Sequence, residues 1–537
     1  MSDPKYSPQE IYDKREEFGL ENSVEMLADI LESEKDNSKR KEAVKYLGSL
    51  SNYVPQLKNE CFSIIENVLI SEDKIDLKCE AAKALGKLKN DKALKPLNWI
   101  LEQNIDSDDL RLAALKAITK IKFLEPQINV FIKELDSRFN SVRDFVRNHL
   151  VGIEPEILMN SLIANLKSEN ISNEHKTEII KLMGYELSSI NVAFQDMNYV
   201  KVKYPELISK LYLDKGVILE EITRTLRKND SELLDSAVSI LKLLSPEINK
   251  DVTKLLLSDD FIVRKNAITL TGKMKLKDAV DTLITGLDNI YSEVSVATIE
   301  ALGEIGDLSA VSELLDILNA EDISFEYTDI DMKFYIMDAV KKIYSTNKNA
   351  DFNFLLSRLN SDSETLKESI AFILGEIGNE AFTKPLIDLL KINNLDVKKN
   401  AIIALGKIGT IEPIHNLIEI LENFDSYWLI KKVAIDAIYN IFQRNWYRVK
   451  DKDEYLERTL NRHIATLIDY LKQNEAENTK VKVSLIKFLE NYGDEPALSA
   501  LLSRVNDTPR IVRIHASNAI KKIEDKIEER LGLDNID

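Results

Sequence analysis

Apolar residues recur three and four positions apart over most of this chain, in short runs broken by polar segments. That spacing places them on one face of a helix. Four runs read alike: Ala84-Leu85-Gly86-Lys87-Leu88, Ala301-Leu302-Gly303-Glu304-Ile305-Gly306, Ile373-Leu374-Gly375-Glu376-Ile377-Gly378 and Ala404-Leu405-Gly406-Lys407-Ile408-Gly409. With the first Gly of each as a marker, leucines stand eleven and fifteen residues later: Leu97 and Leu101, Leu314 and Leu318, Leu386 and Leu390, Leu417 and Leu421. Gly272 follows the same rule with Leu283 and Leu287. Before the marker, Ala81, Ala84 and Leu85, like Ala401, Ala404 and Leu405, form an i, i+3, i+4 stripe. Its small alanines let a neighbouring helix approach closely. The Gly-x-Ile-Gly ending predicts a helix stop, because glycine tolerates the left-handed conformation there. The leucine pair then belongs to the next helix. Ser258-Asp259-Asp260 reads as a turn that caps the helix after it.

Equivalent positions fall near 48, 86, 119, 151, 184, 241, 272, 303, 341, 375, 406, 439, 490 and 521, mostly 31 to 38 residues apart. One period is one helix pair. The expectation is an all-α chain of about 14 or 15 stacked pairs, each sheltering its neighbour's apolar side. The wide interval from 184 to 241 predicts an irregular or degenerate repeat over 185–227. The one from 439 to 490 predicts a basic, aromatic insertion over 443–462. Residues 1–21 read as an N-terminal cap or tail, 22–184 and 228–442 as regular repeats, and 463–537 as closing repeats and cap. The charged end from Lys521 to Arg530 reads as an amphipathic helix with Ile523 and Ile527 on its buried side. Asp322 to Thr328 reads as a smaller interruption.

The Leu-Gly-x-Ile-Gly ending resembles the HEAT-repeat family, in particular the short E-Z type repeats also found in phycobilin lyases. The resemblance implies a right-handed α-solenoid, curved into a superhelix. It implies function less closely, since HEAT-like proteins include scaffolds, chaperones and a few enzymes. A basic residue recurs eight positions before the marker, at Lys78, Arg111, Arg143, Arg264, Lys398 and Arg513. In the resembling family such residues pair with acidic groups in the turns, so inter-repeat salt bridges are expected here.

Charge narrows the field of partners. Lys plus Arg number 72 and Asp plus Glu 90, a formal charge of −18. Such a surface repels phosphate backbones, which disfavours nucleic acid, and predicts a mixed or acidic groove suited to a basic protein. Gly (16) and Pro (12) are scarce, as long uninterrupted helices require. Two cysteines, Cys61 and Cys79, supply neither a disulfide framework nor a thiolate zinc site. The polar N-terminus and the lack of a long apolar stretch predict a cytoplasmic protein with no membrane span.

Catalytic signatures are missing from the sequence. The five histidines, His149, His175, His415, His463 and His515, lie in separate repeats, and none precedes a Glu. No HExxH, phosphate-binding loop or nucleophile elbow occurs. The expectation is a scaffold without catalysis, metal or cofactor that holds a protein partner in its groove. The alternative is a lyase-like maturation factor cradling a tetrapyrrole or a client, which rests on the resemblance alone. One segment stands out as a binding site: Tyr427 and Trp428 open a helix, and Arg444, Trp446, Tyr447 and Arg448 follow within a locally basic stretch. Trp, Tyr and Arg are the residue types of binding hot spots.

Overall fold

Helix follows helix through the computed structural model, and no strand occurs among the described residues. Those are residues 6–531 apart from 52, 54–56, 104, 195–196, 288–291, 320–331, 348, 424 and 451–452. The chain forms two compact units, Met1–Leu270 and Thr271–Asp537.

Within each unit, consecutive helices pair as the leucine rule predicts. Lys58–Ser71 packs on Ile75–Leu88, Leu94–Glu102 on Asp108–Ile121, and Ile414–Glu422 on Trp428–Lys450. The periodic residues are the core: Leu97, Leu314, Leu386 and Leu417 are all buried. Side-chain caps mark where helices begin. Asp260 accepts from the backbone N–H groups of Ile262 (3.0 Å) and Val263 (3.3 Å) at the head of Phe261–Met274.

The two glycines of the recurring ending do different jobs. The second one stops the helix: Gly306, Gly378 and Gly409 have φ of +75°, +75° and +81°. The first lies inside the helix and lets the next marker helix come down onto it. A methyl added at Gly86 would sit 2.8 Å from Ala117 Cα, and one at Gly406 2.8 Å from Ala437 Cα. Gly48 meets Ala84, Gly272 meets Ala301, Gly303 meets Ala339 and Gly375 meets Ala404 in the same way. The second helices therefore stack backbone to backbone, glycine on alanine.

One junction slips. In Ile75–Leu88, Asp108–Ile121 and Leu395–Ile408 the alanine facing the glycine is the tenth residue of its helix. Gly184 instead meets Ser236, the sixth residue of Ser231–Leu244, one helical turn earlier. Over 185–227, where an irregular or degenerate repeat is expected, the described residues are mostly helical. Asn173–Phe194 runs through, followed by Met197–Lys203, Pro205–Leu213 and Lys215–Thr225. Pro205 sits at the start of its helix, where a missing N–H costs nothing.

The insertion expected over 443–462 is also helical. Trp428–Lys450 and Glu454–Gln473 are long helices of 23 and 20 residues. No Gly or Pro interrupts Phe442 to Lys450, so the first helix continues. The interruption expected at Asp322–Thr328 lies outside the described residues. In the last helix, Arg510–Leu531, Ile523 is buried and Ile527 half-buried. No helix among the described residues is long and apolar enough to cross a membrane.

Candidate interaction surfaces

The basic residue eight positions before each marker points toward the turns, and the structure gives it two kinds of partner. Arg111 donates to Leu101 O (3.1 Å), Gln103 O (3.0 Å) and Glu134 Oε1 (2.6 Å). Arg264 donates to Ser258 O at 2.6 Å, Arg513 to Asp507 O and Thr508 O at 2.9 and 2.8 Å, and Arg143 to Ser137 O. Lys78 reaches Ile70 O at 3.4 Å. Of the six residues named from sequence, five therefore tie down carbonyls at the end of the preceding helix (Lys78, Arg111) or in the turn after it (Arg143, Arg264, Arg513). Lys398 has no such contact among the described residues. Among the described residues, Arg111 alone of the six also makes the expected salt bridge to the next pair. A cation at a helix C-terminus is favourable for the same electrostatic reason as a cap.

The acidic pairing is carried mostly by residues the sequence reading passed over at the same offset. Arg40 pairs with Glu72, Lys176 with Glu221 and Lys333 with Glu368, each at 2.6 Å. Lys431 meets Glu477 at 3.2 Å, and Lys482 meets Asp507 at 2.8 Å. Testing the minus-eight position at every marker, degenerate ones included, would have found them. These contacts leave the ladder little freedom to bind an outside anion.

Glu477 shows what such a pair does for stability. Burial pushes its carboxyl up. The Tyr470 hydroxyl at 2.5 Å, the Asn478 N–H and the Lys431 ammonium outweigh burial and hold the group below the usual glutamate range. A depressed folded-state pKa contributes stability above the unfolded-state value, which is lost as pH falls through the folded one. Glu477→Gln is therefore expected to lower the urea midpoint at pH 7. The gap between variant and parent should close as the pH drops below about 4. An equal gap at both pH values would refute the assignment.

The opposite face of the marker helices is open. A cavity of about 640 Å³ lies across Asn37–Leu50, Ile75–Leu88 and Asp108–Ile121 in the first unit. One of about 750 Å³ lies across Trp428–Lys450, Thr479–Tyr492 and Arg510–Leu531 in the second. Both are lined from the same helical positions, ten, seven, six and three residues before the marker. Each is a shallow trough running over three successive helices.

The family model for HEAT repeats matches residues 223–325 and 352–438. These segments are HEAT repeats. They make up just over a third of the chain. The match is to HEAT repeats in general, broader than the short E-Z type expected from the glycine-ended motif. No curated protein matches the sequence. Among solved structures, importin beta crystallised in a polyethylene glycol condition is 12% identical, with 98% of this chain and 79% of that one covered at a TM-score of 0.43. Yeast importin-beta, Kap95p, is 12% identical over 96% and 85% at 0.38. An engineered protein is 18% identical over 93% and 98% at 0.19. These overlaps carry no argument about binding.

The six residues singled out in the sequence do not converge in the HEAT array. Tyr427 and Trp428 stand at the head of their helix, rings 5.5 Å apart, with Lys480 Nζ 4.7 Å from the Trp428 ring centre. Tyr427 is exposed. Trp446 is 18 residues on, about 27 Å along the same helix. It packs edge-on against Tyr492 (5.2 Å) and stacks near Phe442 (6.2 Å). Arg444 donates to Ile408 O at 3.1 Å, and Tyr447 is exposed. The side chain of Arg448 lies outside the described residues. Helix continuation, which the reading as an insertion left out, is what separates the two tryptophans.

The histidines are packing or surface groups. His175 is buried, with Nδ1 3.3 Å from Asp136, and His415 lies exposed beside Glu419. Among the described residues no three His, Cys, Asp or Glu side chains gather as a metal site. Cys61 and Cys79 are free and buried, and burial pushes both thiols up to about 11, far from the thiolate form.

Proposed function

We propose that this HEAT-repeat protein is a non-catalytic scaffold that holds a protein partner along the open faces of its marker helices. The observation that carries the reading is the pair of shallow troughs, one in each unit, each lined by charged and apolar side chains of three stacked helices. Such a surface suits an extended segment better than a small molecule, which is ordinarily enclosed on most sides. In the second unit, Trp428 under Lys480 and the neighbouring exposed Tyr427 supply anchors at the head of the trough. The buried, free thiols fit a reducing compartment, and we place the protein in the cytoplasm on that ground.

The test is affinity capture with the full chain at low salt, beside a variant carrying Tyr439→Ala and Lys480→Glu in the second trough. A stoichiometric protein partner that the variant loses supports the scaffold. Recovery of none, or equal recovery by both proteins, overturns it.

A further inference from the structure

The three-before position of the marker helices carries a sign that the net charge hides. In the first unit it reads Lys45, Lys83 and Lys116 on three successive helices, all exposed. Lys120, one turn beyond Lys116, extends the stripe. In the second unit the same position is mixed: Glu300, Asp338 and Asp436 are acidic, Phe372, Ile403 and Asn518 uncharged, and Lys487 basic. The glycine–alanine contacts at Gly48–Ala84 and Gly86–Ala117 hold these three helices as near as backbones come. Successive lysines are therefore spaced by one interhelical step, about 8–10 Å. Among the described residues no carboxylate is in ion-pair range of Lys45, Lys116 or Lys120. Lys83 meets Glu80 at 3.3 Å while remaining largely exposed. Lys83, Lys116 and Lys120 line a trough of about 640 Å³, to which the helix of Lys45 contributes Lys41, and its low-dielectric walls concentrate their field.

We propose that the trough of the first unit binds an acidic, extended peptide segment with a carboxylate at about every third residue. The proposal rests on the scaffold reading and names the partner's chemistry in one trough. An extended chain advances about 3.3 Å per residue, so every third side chain moves one interhelical step and meets the next lysine. Asp109, which lines the trough with Asp76 and Glu80, is what selects a peptide over a nucleic acid. A peptide backbone offers it N–H donors between the acidic side chains. A polyphosphate offers it only further negative charge. The occupant is thus opposite in sign to the basic partner that the charge of −18 predicts for the chain as a whole.

The test uses the full chain and a fluorescein-labelled synthetic peptide of about nine residues, long enough to cross three helices, with Glu at every third position. Fluorescence anisotropy at about 0.15 M salt compares it with the same peptide carrying Gln. The Glu peptide is expected to bind at least about tenfold more tightly. Lys83→Glu with Lys116→Glu should weaken the Glu peptide by about tenfold or more and leave the Gln peptide unchanged. Circular dichroism checks that the pair folds, and Lys83→Ala with Lys116→Ala replaces it if it does not. Equal binding of the two peptides, indifference to these substitutions, or tighter binding of a single-stranded oligonucleotide of equal charge would each overturn the proposal. Partner capture that depends on the second trough while the Glu peptide fails sinks this inference alone and leaves the scaffold standing.

Discussion

Asp507→Ala is expected to destabilise the end of the second unit by about 3–5 kcal/mol. The Asp507 carboxylate lies 2.8 Å from Lys482 Nζ and 3.7 Å from Arg504 Nη1, and the three side chains are 6%, 6% and 4% exposed. Arg504 is otherwise held by Leu471 O at 2.7 Å and Lys472 O at 3.2 Å. Removing the one carboxylate leaves two cations in a low-dielectric site, and most of the cost is that uncompensated charge. The loss should appear as faster hydrogen exchange in Thr479–Tyr492 and Arg510–Leu531, since each helix pair leans only on its neighbours. Adding Lys482→Met to an Asp507→Leu chain should recover the share of the loss due to the stranded Lys482, while Arg504 keeps only its two carbonyl acceptors. A single-variant loss under about 1 kcal/mol, the range of an exposed pair, would refute the account.

Gly184→Ala is expected to cost about 3 kcal/mol, although alanine is the better helix former by about 1 kcal/mol. The added methyl would fall well inside 3.0 Å of Ser236 Cα, Cβ and O, on a backbone that cannot swing away. Gly86→Ala and Gly406→Ala meet the next helix less severely and should cost about 1–3 kcal/mol each. Gly216→Ala is the control: nothing lies within 4 Å of its added methyl, its φ is not positive, and the change should stabilise by up to about 1 kcal/mol. Denaturant melts of the four variants decide the matter. A stabilising Gly184→Ala, or four equal shifts, would mean that the glycines are not there for close approach.

The trough and the ladder differ in how openly the sequence displays them. The minus-eight basic residue is visible at Lys78, Arg111 and Arg264, because repetition at fixed spacing shows without coordinates. Its partners are not visible. Glu72, Glu221 and Glu477 lie 32, 45 and 46 residues from their cations, at separations that vary with turn length. The aromatic site failed to converge for a related reason. Trp428 and Trp446 are 18 residues apart in the chain, and only knowing that one helix runs through both shows that they stand far apart.

The sequence by itself determined the helix pairs, their period and the helix ends at Gly306, Gly378 and Gly409, because a 3.6-residue apolar period and a left-handed glycine are local properties. It also determined which small residues recur. Tertiary structure alone decided that Gly86 rests on Ala117 and that Gly184 slips one turn onto Ser236. It alone set Lys45, Lys83 and Lys116 in one line within an acidic protein. Register between helices is a contact between residues distant in the chain, fixed by which surfaces fit, and no local spacing encodes it.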